Sequence, residues 1–221
     1  MTGREMLDVS LVLPEGWFAL PAASARDAGW VEALAGSMAE GAGGAPAGDP
    51  ESAAEHGDAQ EPGRTPEELL ADQLRAVVEV VDEVGQTGLR AAVLVRRPQH
   101  GVVDALLTFV VHDGVTPEEF VDELRRAPES DDSYLLVEPL ESEIPAGTVR
   151  GAHLMIGHLD AERGEGVAHL EERVVVGVFP PDSGAMVEVN VVSSSVGTFE
   201  DAPAEVLGVL TGLSTVSGRA R

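Results

Sequence analysis

The chain has 221 residues, of which 43% are hydrophobic and only 4% aromatic, so a core of ordinary size must be built from Val, Leu and Ala. Its formal net charge is −25 and its pI is near 4.3. Such a surface repels nucleic-acid phosphates and anionic membranes and draws in basic partners. The chain has no cysteine, which excludes disulfides, thiolate metal sites and cysteine nucleophiles, and no lysine, so its 14 formal cations are all arginine.

The first segment, DVSLVLPEGWFALP (Asp8 to Pro21), reads as a strand with Val9, Leu11 and Leu13 on one face. Pro14 ends its pairing because it cannot donate a ladder hydrogen bond, and Gly16 permits a bend. Trp17 and Phe18 then anchor an extended continuation. Ser24 to Met38 reads as a helix capped by Ser24, with Trp30, Leu34 and Met38 at i, i+4 and i+8. Residues 39–64 are rich in Gly, Ala, Pro and acids and contain no large apolar side chain. A disordered acidic loop inside one domain spanning 1–221 is expected there, because such a segment buries too little surface to offset its ordering entropy.

A second helix starts at TPEE: Thr65 caps, Pro66 takes the first helical position, and Glu68 completes a capping box. Leu70, Leu74, Val77, Val78, Val81 and Val84 form its apolar stripe, and Gly85 stops it. The same start signal recurs at Thr116, ahead of Phe120, Val121 and Leu124. Between the two helices, 89–98 and 102–113 read as an antiparallel hairpin turning around Gln99 to Gly101. A short strand SYLLVEPL and three long strands follow, GTVRGAHLMIGHL, GVAHLEERVVVGVFP and GAMVEVNVVSSS, joined by turn-forming segments. The alternation in MVEVNVV places Val187, Val189 and Val191 on one face and Glu188 and Asn190 on the other. Pro203 to Leu213 reads as a last helix capped by Asp201, with a frayed tail from Ser217 to Arg221.

Consecutive strands joined by tight turns pair antiparallel. The expected fold class is therefore α+β, a mostly antiparallel sheet of six to seven strands flanked by helices in an α/β/α sandwich. At this point the chain resembles the PsbP/Mog-type superfamily. Pro14, Gly16 and Trp17 match its opening P-x-G-W turn, and VGTFEDAPAEVLGVLTGLSTV is similar to its last strand-to-helix passage. The richness in Ala, Gly, Val and Arg resembles proteins of GC-rich actinobacterial genomes. The resemblance implies a non-enzymatic role, since members are mainly photosystem accessory subunits, a Ran-binding protein, small lipoproteins and adaptors that chaperone secreted effectors. It brings no catalytic residues, and the helix that begins at Pro66 is longer than the superfamily pattern.

Known chemical signatures are absent from the sequence. VVSSSVGTF lacks the glycines of a nucleophile elbow, and the Gly-rich 40–48 lacks the Lys and Ser/Thr of a phosphate loop. If the turn DAERGEG closes a simple hairpin, residues whose numbers add to about 327 face each other, and His158 opposes His169. With Asp160 these would be the metal candidates, and a solvated cross-strand pair is the simpler reading. Glu171 and Glu172 are neighbours on one strand and point to opposite faces, so they cannot act as a couple.

The sequence thus points to a cytoplasmic, non-enzymatic protein that binds a protein partner with a basic surface. Trp17, Phe18 and Trp30 are its candidate anchors. No cofactor, nucleic acid or membrane insertion is implied, and no signal peptide is read at the N-terminus. The alternatives are an acidic immunity or inhibitor protein covering a basic toxin, and a small hydrolase or metal-dependent enzyme using the strand histidines.

Overall fold

The computed structural model describes residues 5–41, 63–129, 133–159, 167–193 and 195–219. The fold is α+β. Its elements are β1 (Glu5–Leu11), β2 (Trp17–Ala19), α1 (Trp30–Gly41), α2 (Pro66–Val84), β3 (Arg90–Leu94), β4 (Ala105–Asp113), α3 (Pro117–Glu129), β5 (Tyr134–Ile144), β6 (Gly147–Leu159), β7 (Val167–Phe179), β8 (Ala185–Ser193), α4 (Ala202–Leu210) and β9 (Leu213–Arg219). Seven strands form one sheet in the order β2-β3-β4-β8-β7-β6-β5, and β1 pairs with β9 in a separate ribbon. The pairings are antiparallel.

By its contacts the chain divides into two compact units. One comprises Met1–Leu20, Gln86–Leu94 and Asp104–Arg221, and the other Pro21–Gly85 and Val95–Val103. The first holds the sheet. Strand periodicity gives this sheet two apolar faces. On one lie Leu107 and Phe109 of β4, Val149 of β6, Val174, Val176 and Val178 of β7, and Val187, Val189 and Val191 of β8. They pack with Ala202, Val206, Val209 and Leu210 of α4 and with Val9 and Leu213 of the β1–β9 ribbon. On the opposite face Phe120 of α3 packs with Ala152, Leu154, Ile156, Val175 and Met186. Each of these valines buries only a small surface. The core compensates for its scarcity of aromatics by repeating them across three adjacent strands. Close backbone packing is built in as well. A Cβ on Gly151 would collide with the carbonyl oxygen of Val175 on the neighbouring strand.

The second unit is built on α1 and α2, with the 3-10 turn Pro98–His100 packed against both. The α2 start is as expected: the Thr65 hydroxyl accepts from the Glu68 N–H at 3.2 Å, and the Glu68 carboxylate accepts from the Thr65 N–H at 2.8 Å. Gly85 ends the helix in the left-handed conformation, φ 61°.

Several expectations are corrected. The first helix starts at Trp30, not Ser24, because Ala23–Ala25 form a separate 3-10 turn and Gly29, at φ 96°, breaks the chain direction. Its buried stripe is Val31, Ala35 and Met38, leaving Trp30 and Leu34 half-buried. Ala39 to Gly41, assigned to the loop, complete α1, while the rest of that loop lies outside the described residues apart from Gly63 and Arg64. β5 runs on past Pro139 to Ile144, which a sheet-edge position allows because an outward-facing edge needs no N–H there. The tail does not fray from Ser217, since Ser217 to Arg219 pair with Glu5 to Leu7.

Candidate partner-binding surface

α1 and α2 pack side by side, with the start of α1 near the end of α2. Arg26 marks that end: its Nη1 donates to Asp82 Oδ2 at 2.6 Å, its Nε donates to the Pro21 carbonyl at 3.0 Å, and its guanidinium carbon lies 5.5 Å from the Trp30 ring centroid. A shallow groove there is lined by Trp30, Val31, Arg75, Val78, Glu79, Asp82 and Glu83. Further along, Arg75 reaches both Glu32 of α1 and Asp72, and Arg64 reaches Asp72. Asp72 titrates below the ordinary carboxylate value, first because Arg64 donates to it. Glu32 is lowered as well, first by a backbone hydrogen bond and then by Arg75.

The α2 stripe changes character along its length. Leu70 and Leu74 are fully buried, Val77, Val78 and Val81 are half-buried, and Val80 and Val84 are 56% and 58% exposed. The helix that the sequence reads as one continuous apolar face is therefore core at its start and open surface at its end. At about 100° per residue Glu79, Asp82 and Glu83 fall on the side of the helix away from Val77, Val81 and Val84. Asp82 is matched by Arg26, while no ion pair to Glu79 or Glu83 occurs among the described residues.

Of the three aromatic anchors, only Trp30 lies on this surface. Trp17 is partly buried against the core cluster of the sheet. Phe18, its neighbour on β2, pairs with Val93 and points to the other side of the sheet.

The histidines fall on the β6–β7 ladder. His158 opposes His169 in the register read from the turn. Their rings stack, with centroids 4.3 Å apart and planes 10° from parallel. An ion bound by both would have to lie in both ring planes at about 2.0–2.1 Å from each nitrogen. Parallel planes at this spacing do not meet. His158 Nε2 instead lies 3.1 Å from Glu171 Oε2, and Glu171 Oε1 accepts from Arg173 Nε at 2.7 Å. Asp160 lies outside the described residues. Among those described, no group of three or more His, Asp or Glu is placed to hold a metal ion.

The other face of the same ladder holds a pair that sequence reasoning missed. His153 Nε2 is 3.0 Å from Glu172 Oε1, and its Nδ1 is 3.8 Å from Glu138 Oε2. Glu172 is 9% exposed, and its Oε2 has no hydrogen-bond partner. The hairpin registers could have revealed the cluster: they set Glu138 directly across from His153, and Glu172 one diagonal step away. Glu171 and Glu172 do point to opposite faces, each meeting its own histidine.

The serine-rich end of β8 is structural. Ser193 is 1% exposed, and its Oγ lies within 3.0 Å of the Asp104 and Ser195 carbonyls and the Thr198 hydroxyl, knitting the β8 end to the start of β4.

No helix among the described residues is long and apolar enough to cross a membrane. No family model matches the chain, and no curated protein matches it. Among solved structures, a crystal structure from Bacteroides thetaiotaomicron VPI-5482 is similar at 13% identity over 59% of this chain, with a TM-score of 0.33. The matched region spans 40% of that protein's length.

Proposed function

We propose that the protein is a non-enzymatic partner-binding protein, an adaptor, chaperone or accessory subunit, and that it works in the cytoplasm. One observation carries this reading: past the buried Leu70 and Leu74, α2 leaves the large apolar side chains of Val80 and Val84 more than half exposed. Valines on a helix end cost solvation free energy when left wet, and a partner that covers them recovers it. Among the described residues, several polar groups elsewhere are committed to one another. The stacked His158 and His169, the His153–Glu172 pair and the bonded Ser193 are each engaged with neighbours within the fold.

The likeness to the PsbP/Mog-type superfamily supports the same class of role. So does the charge of −25, which steers basic proteins toward the chain. The test is affinity capture with the full chain from its native host at low and high salt. A stoichiometric protein partner released by salt is the expected result, and its absence under both conditions removes the proposal.

A further inference from the structure

We draw no further inference here: the strongest candidate, the exposed face of α2 around Val80 and Val84, is an unpartnered apolar surface, and nothing in the structure shows what covers it.

Discussion

Arg26 holds Trp30 in place: its guanidinium carbon sits 5.5 Å from the indole centroid while the same group donates to Asp82 at the far end of α2. One side chain thus ties the segment before α1, the first residue of α1 and the last turn of α2. Arg26→Ala removes the cation–π contact and a hydrogen bond to a charged acceptor, so unfolding free energy should fall by about 1–3 kcal/mol. Chemical denaturation measures this. The emission of Trp30 should shift to longer wavelength as its ring gains water.

The His153–Glu172 pair makes a prediction through its orphaned oxygen. His153→Ala leaves the nine-tenths-buried Glu172 carboxyl with neither oxygen partnered, which should cost about 1–3 kcal/mol. Replacing both residues with leucine removes the buried polar groups together and should recover most of that loss. Urea titrations of the single and double variants settle it. A double variant no more stable than the single would show that the pair is not a self-contained unit.

Acid should loosen the α1–α2 pair. Asp72 and Glu32 are held below their ordinary values of 3.8 and 4.5 in the folded state, Asp72 chiefly by the hydrogen bond from Arg64 and Glu32 by its backbone hydrogen bond and then by Arg75. A carboxyl with a lowered folded pKa lends its stabilisation in full above the unfolded value, and that contribution disappears as pH falls through the folded one. The melting temperature of the wild type should therefore drop more steeply below pH 3.8 than that of Asp72→Asn, which has lost the titrating group. Both carboxyls are exposed, so the difference should be small and should shrink at high salt.

Metal addition should do nothing specific. The parallel His158 and His169 rings cannot both direct a nitrogen at one ion, so Zn²⁺ or Ni²⁺ should not raise the melting temperature. His158→Ala with His169→Ala should leave that response unchanged. A metal-dependent stabilisation lost in the double variant would contradict the stacked geometry.

Local chemistry made parts of this molecule legible in advance. Thr65, Pro66, Glu68 and Gly85 mark α2 because each satisfies or ends a backbone requirement within a few residues. The opposition of His158 and His169 followed from hairpin arithmetic, since antiparallel register propagates from the turn. What failed depended on distant partners. β9 forms because β1, two hundred residues away, supplies its ladder, and nothing in LSTVSGR alone announces that. Ser24 looked like a helix cap, yet a 3-10 turn and the left-handed Gly29 intervene before Trp30.

The candidate surface was half legible. The sequence reads Val77, Val78, Val81 and Val84 as one stripe, but it cannot say where cover stops. Only the structure separates buried Leu74 from exposed Val84. Among the aromatic anchors, the pattern could not distinguish Trp17, which packs against the core, from Trp30, which borders the groove.

The most direct test of the partner-binding surface is a chemical-shift titration of the isotopically labelled full chain with the protein partner captured from its host. The predicted result is perturbation that includes Val80 and Val84 of α2, with β6, β7 and the β1–β9 ribbon unmoved. Perturbations centred on the sheet, or none at saturating partner, would contradict it.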